Sequence, residues 1–192
     1  SDIEQVSIDE CYLFYTPISY RFPSPEAAAR QIADEVRNTL GFTVNVGIAE
    51  NKLLAKMASD FEKPDRVHTL YRDEIPVKMW PLSVHELFMV GRKSASRLEE
   101  LGIHTIGELA HSDRAFLQTH FKSHGILMWE YANGIDHSAV HSDTTKAKCI
   151  GNSTTLASDV TTRSEAFEVL LSLSEEVAAR LRKAGQLAST VT

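Results

Sequence analysis

The chain has little of several things. It has two cysteines, Cys11 and Cys149, far apart and in no metal-binding or redox spacing, so a disulfide framework and a thiolate metal centre are both excluded. Two reduced thiols in a cytoplasmic protein are the expectation. No run of eighteen apolar residues occurs, which excludes a membrane-spanning helix of ordinary length. The opening "SDIEQVS" lacks the basic-then-apolar pattern of a secretory signal. There is no internal repeat and no long low-complexity tract. Positive charge is also in deficit: the net charge is −6, an unpromising balance for a nucleic-acid partner unless local clusters provide the grip. Residues 1–80 carry 13 acids and 9 bases, whereas residues 141–192 carry 6 of each, so the acidity is concentrated early.

What is present is a chain of 192 residues, 43% of them apolar, which is enough for one large domain or two small ones. Residues 4–15, "EQVSIDECYLFY", alternate and are rich in β-formers, so they read as a strand. The next segment, "SPEAAARQIADEVRNTLG", reads as a helix with Ser24 as N-cap, Pro25 at the first position and Gly41 as the stop. Ala28, Ile32, Val36 and Leu40 are its expected buried face. Strands follow at 43–49 and in "RVHTLY", with the short helix "NKLLAKMASDF" between them. From Leu82 to Gly134 the pattern is helical and broken by glycines. Residues 135–148 are polar and aperiodic, as in a linker. A strand is expected near "CIGNSTTLAS". A long helix then begins at Thr162 and Glu165, in capping-box spacing, and buries Phe167, Leu170, Leu171, Val177 and Leu181. Trp80 and Trp129 are expected in cores. The scattered histidines suggest no metal site. Both ends read as cuts in a longer polypeptide.

Asp9 and Glu10 are the residues that point to chemistry. Neighbours on a strand face opposite ways, so the two share a ligand only at a strand end or a local distortion. If they share one, a hard divalent cation such as Mg²⁺ suits them, and a pair of such ions supports phosphoryl transfer. The competing reading is a solvent-exposed Asp-Glu dipeptide.

The surroundings of the pair carry a resemblance. "SIDECYLF", then a helix, then "TVNVGIAENKLLAKMASDFEKPD", then "LFMVGRKSASRLEELGIHTIGELA" resemble the Y-family, or translesion, DNA polymerases (the DinB/UmuC, ImpB/MucB/SamB group). The stretch from "IGNSTTLASDV" onward resembles the start of that family's little-finger domain. The resemblance implies an α+β fold: an α/β palm portion, an all-helical thumb with a helix-hairpin-helix, and a truncated α+β little finger. The boundaries it implies are 1–80 for the C-terminal half of the palm, 81–136 for the thumb, 137–148 for a linker and 149–192 for the start of the little finger.

Roles follow from the resemblance. Asp9 and Glu10 match the family's second and third metal-binding, catalytic carboxylates. Lys63, in "EKP", matches a lysine that contacts the incoming triphosphate, where a cation offsets phosphate charge. Lys52 and Lys56 share a helix face that is turned either to DNA or to solvent. Val90, Gly91, Arg92, Lys93, Ser94 and Gly107 match the DNA-binding hairpins of the thumb, whose helix N-terminus suits a phosphate. Met89 stands where the hairpin often has a glycine, so the turn is expected to avoid positive φ there. The Arg180–Lys183 cluster is either a DNA contact or the ordinary basic end of a helix. The implied partners are primer–template DNA, deoxynucleoside triphosphates and a sliding clamp reached through a C-terminal region beyond this chain, with no membrane. The implied cofactor is a two-ion Mg²⁺ site, incomplete here because the family's first metal-binding Asp and its fingers lie in a segment absent from this chain. The chain alone is therefore expected not to polymerise DNA.

Two other readings stay open at this point. A diguanylate cyclase has a related palm, but Ser7 and Ile8 stand where it has a glycine pair. A non-catalytic helix-hairpin-helix module would bind DNA without metal chemistry at Asp9 and Glu10.

Overall fold

A computed structural model describes residues 2–142 and 149–191. The chain divides into two compact units, Ser1–Ser142 and Asp143–Thr192. In the first, β1 (Ile3–Gln5) and β2 (Cys11–Leu13) form an antiparallel hairpin with Ile3 opposite Leu13 and Gln5 opposite Cys11. The strand expected over 4–15 is thus two short strands and a loop. Ser7 and Asp9, both turn formers, sit where the chain reverses.

Helix α1 (Pro25–Leu40) has the expected ends. Ser24 accepts a hydrogen bond from the Ala27 N–H at 3.1 Å, and Gly41 closes the helix at φ 77°. Its buried face differs from the expectation. Ala28, Ala29 and Ala33 are buried, while Ile32 and Leu40 are exposed. The helix packs closely through its smallest side chains and turns the larger ones outward.

Strands β3 (Val46–Ile48) and β4 (Val67–Thr69) pair in parallel, with Val46 opposite Val67, and α2 (Lys52–Asp60) is the crossover between them. The approach of α2 to β3 is so close that a Cβ on Gly47 would lie 1.9 Å from the Ala55 carbonyl oxygen. Only glycine fits there. Asn51 caps α2 through the Leu54 N–H at 2.9 Å, and its amide donates to the Gly134 carbonyl at 2.9 Å. The Asp136 carboxylate accepts from the Leu53 N–H at 3.2 Å. The N-terminus of α2 is therefore held by residues more than eighty positions later.

Helices α3 (Ile75–Lys78), α4 (Arg92–Glu100), α5 (Ile106–His111), α6 (Arg114–Phe121) and α7 (Ser123–Ala132) follow. One apolar core runs from Leu53 and Leu54 of α2 through Met79, Leu98 and Leu109 to Met128 of α7. Trp80 and Trp129 pack half-buried against it, and the Trp80 indole N–H donates to the Ala132 carbonyl at 3.0 Å.

The second unit contains α8 (Arg163–Lys183), begun by the expected capping box of Thr162 and Glu165. No residue of α8 is fully buried. Phe167, Leu170 and Leu171, expected inside, are exposed, and Val177 and Leu181 are half-buried. The strand expected near "CIGNSTTLAS" does not form in the described part, 149–158. A strand needs a neighbour to take its backbone hydrogen bonds, and no strand occurs among the described residues of this unit. The segment is instead held to α8 by side chains: Arg180 donates to the Gly151 carbonyl at 2.8 Å, and Asn152 bonds Glu176. Both cysteines are free and exposed.

Candidate active site and nucleic-acid interface

The β1–β2 loop is closed by its own backbone. The Val6 and Ser7 N–H groups both donate to the Glu10 carbonyl, at 2.9 and 3.2 Å. Within it the Ser7 hydroxyl donates to the Asp9 carboxylate at 2.7 Å. Asp9 and Glu10 thus sit on a reversal and not inside a strand, the one setting in which neighbours of opposite strand facing can serve a common ligand.

Their partners differ. Asp9 is held locally by Ser7. Glu10 reaches across to α2 and pairs with Lys56 at 2.5 Å. Lys56 also contacts Asp60, one turn on, at 3.2 Å, and Asp60 pairs with Lys63 at 2.7 Å. Glu10, Lys56, Asp60 and Lys63 form one chain of alternating charge. Partial burial pushes the Asp60 carboxyl up, but the hydrogen bonds from Lys63 and Lys56, with their charges, outweigh it and leave Asp60 below its ordinary value. Burial likewise opposes the charge on Lys56, yet the bonds to Glu10 and Asp60 leave its pKa raised. Sequence reasoning missed Asp60, although its spacing, four residues after Lys56 and three before Lys63, is that of helical ion pairs.

Lys52 is neither solvated nor free for phosphate. Its ammonium sits 3.0 Å from both Glu4 oxygens and over the Tyr12 ring at 5.5 Å. Glu4 also accepts from the His141 N–H at 3.0 Å, which together with Lys52 lowers its pKa. The lysine face of α2 is therefore turned to the hairpin and its carboxylates.

The oxygen donors of Asp9 and Glu10 are of the kind Mg²⁺ takes. Their number is not. No group of three or more His, Cys, Asp or Glu side chains placed to hold a metal occurs among the described residues, and Glu10 is already engaged by an ammonium. The residues present do not make a complete metal site.

The other candidate surface precedes α4. The Val90 N–H donates to the Leu87 carbonyl at 3.0 Å, closing a four-residue turn whose third residue, Met89, has φ 67°. The expectation that Met89 avoids positive φ is corrected. A turn of this shape puts its third residue in the left-handed region, and an exposed Met side chain accepts that backbone at a cost. Gly91 is the N-cap of α4 and supplies no side-chain cap. Arg92 and Lys93 are exposed beside it and Ser94 is half-exposed, so the positive end of the helix carries two basic side chains. Val90 points the other way, buried in the core. Gly107 also faces inward. Its N–H donates to the Trp80 carbonyl at 3.0 Å, and a Cβ there would lie 3.0 Å from the Trp80 Cβ.

Comparison with known proteins brings these features together. The profile of the impB/mucB/samB family matches residues 1–60, and that of the impB/mucB/samB family C-terminal domain matches 147–192. The chain belongs to the impB/mucB/samB family. DNA polymerase IV of Clostridium acetobutylicum is 48% identical over 190 residues, covering 99% of this chain and 48% of that protein. Among solved structures, DinB from Sulfolobus solfataricus superposes with a TM-score of 0.64 at 28% identity, over 72% of this chain and 41% of that one. A Y-family DNA polymerase chimera gives 0.66 at 28% identity, over 76% and 43%. The resemblance read from the sequence is borne out, the α+β class with it, and the cyclase alternative falls. This impB/mucB/samB chain spans about half the length of the curated relatives it matches.

Proposed function

We propose that the chain is part of a DNA-directed DNA polymerase of the translesion type, acting in DNA repair by transferring deoxynucleotides to a primer 3′ end in a Mg²⁺-dependent phosphoryl transfer. The observation that carries this reading is the similarity to DNA polymerase IV along 99% of the chain. In this reading residues 1–80 are palm, 81–136 are the helix-hairpin-helix thumb and 149–192 begin the little finger. Asp9 and Glu10 contribute two carboxylates to a metal site whose other donors lie outside this chain, and Lys63 meets the triphosphate. Arg92, Lys93 and Ser94, with the Gly91 turn, grip the DNA backbone without reading its sequence. Gly107 and Val90 support that grip from the core side. Primer–template DNA and deoxynucleoside triphosphates are the partners, a sliding clamp docks elsewhere in the complete enzyme, and the site of action is the cytoplasm.

In this reading the chain by itself binds DNA without extending a primer, because no group of three or more metal-ligating side chains occurs among its described residues. Primer extension tests the enzyme reading. The chain is joined to the unmatched part of Clostridium acetobutylicum DNA polymerase IV and supplied with Mg²⁺ and four deoxynucleotides. Extension that disappears with Asp9→Asn is expected. A folded chimera that binds primer–template DNA but never extends it would leave only a DNA-binding module.

A further inference from the structure

The hairpin that carries Asp9 and Glu10 is held to its unit mainly by polar bonds. Its strands pair with each other and with neither β3 nor β4, and no residue from 2 to 14 is buried. A two-stranded hairpin by itself is marginal in water. Among the described residues, its hydrogen bonds to the rest of the unit come from Lys52 and Lys56 of α2, the His141 N–H and the Ser142 hydroxyl. The last two belong to the segment expected to be a linker. That segment is docked at both ends. Asp136 accepts from the Leu53 N–H at the start of α2, at 3.2 Å, and from the Ser138 N–H at 2.9 Å. His141 donates its N–H to Glu4 at 3.0 Å, across 137 positions of sequence.

We propose, on the reading of Asp9 and Glu10 as catalytic carboxylates, that residues 135–142 are a strap, and that Glu4 is the positioning residue through which strap and α2 together set the place of Asp9 and Glu10. Among the described hairpin residues, only Glu4 is hydrogen-bonded to both. Its two oxygens take the Lys52 ammonium at 3.0 Å, and one of them also takes the His141 N–H. Bonds to an ionised acceptor are the stronger kind. The side chains of the Lys52–Glu4 lock are 16% and 25% exposed, so water competes for it less than for a surface pair. The Glu10 carboxylate has no such second hold. It is 47% exposed and bonded to Lys56 alone among the described residues. Glu4 lies on β1, five residues ahead of Asp9, so a shift of that strand is carried into the loop. A displacement of about 1 Å at a reacting group can cost on the order of 10²-fold in rate, which makes the footing of the hairpin a matter of catalysis and not only of stability.

Backbone amide NMR on the chain as it stands tests the strap. His141→Pro removes the N–H donor and leaves Glu4 intact, whereas His141→Ala removes only the imidazole. His141→Pro is expected to shift the Asp9 and Glu10 amide resonances and to speed hydrogen exchange at the Val6 and Ser7 amides, which close the loop, about tenfold. His141→Ala is expected to leave all four amides as they were. Glu4→Ala, which removes the acceptor from the other side, is expected to move the same four amides. Unmoved Asp9 and Glu10 resonances in His141→Pro and Glu4→Ala overturn the proposal, as do equal shifts in the two His141 variants. Primer extension by the chimera described above, run well below its melting temperature, tests the consequence. His141→Pro and Glu4→Ala are each expected to lower kcat about tenfold and to leave KM for the deoxynucleotide within about twofold, with His141→Ala unaffected. Unchanged kcat in both, or kcat and KM altered alike, would mean that Glu4 only supports the fold, and overturns its positioning role. An unaltered chimera that does not extend removes the polymerase reading separately, and the amide measurement still decides the strap.

Discussion

The two units of this chain bury apolar surface to different degrees. Residues 2–142 enclose a continuous core in which Leu54, Met79, Leu98 and Leu109 are fully inaccessible. The unit from residue 149 onward has a helix of 21 residues, longer than any in the first unit, with none of them buried. Length and capping make α8 a helix, but they do not make a core. Phe167, at 66% exposure, shows that an apolar residue in helical register is buried only if something is packed against it.

The sharpest test of that contrast is a pair of truncations. Leu54→Ala is expected to cost about 2–5 kcal/mol of unfolding free energy, because it leaves a cavity in a close-packed core. Leu170→Ala, on the open face of α8, is expected to cost less than about 0.5 kcal/mol. Denaturant unfolding followed by circular dichroism measures both, and comparable losses would mean that α8 is covered in solution.

The capping boxes give a gentler version. Thr105 of α5 and Thr162 of α8 make the same reciprocal bonds with Glu108 and Glu165. Thr105→Ala should lower global stability by about 1 kcal/mol. Thr162→Ala should instead shorten α8 and reduce helical ellipticity without moving the main transition. A shift of the main transition by Thr162→Ala would join the units into one cooperative whole.

Acid sharpens the comparison further. Glu4 and Asp60, both in the first unit, are held below their ordinary values. A depressed folded-state pKa stabilises the fold above the unfolded value, and that contribution is lost as pH falls through the folded value. The melting temperature of the first unit is therefore expected to decline as pH drops below about 4. Glu4→Gln should flatten that decline, and an unchanged slope would deny the Lys52–Glu4 lock.

The smallest effect belongs to Met89. Met89→Gly relieves a left-handed backbone at an exposed position and is expected to raise stability by about 0.5 kcal/mol, the net of relieved strain and added chain entropy. A loss on substitution would show that the exposed Met side chain makes contacts that stabilise the turn.

Much of this was legible beforehand because it is local. Ser24, Pro25 and Gly41 mark the ends of α1 through bonds to residues three or four positions away, and Thr162 with Glu165 does the same for α8. The motif around Asp9, Glu10 and Lys63 needed only order and spacing to be recognised. What could not be read was set by distant groups. The face of α1 that is buried depends on how closely its neighbours approach, which favours Ala28, Ala29 and Ala33 over Ile32. The break at Ser7–Asp9 depends on β1 finding β2.

By itself the sequence determined the family, the ends of α1, the start of α8 and which residue types stand at the candidate site, since each of these is written in short-range pattern. Only the tertiary structure decided that Glu10 faces Lys56 and that Met89 takes a glycine's conformation. The Glu10–Lys56 pair joins residues 46 positions apart. Contacts of that kind exist only after hairpin and helix have docked, and local periodicity carries no record of them.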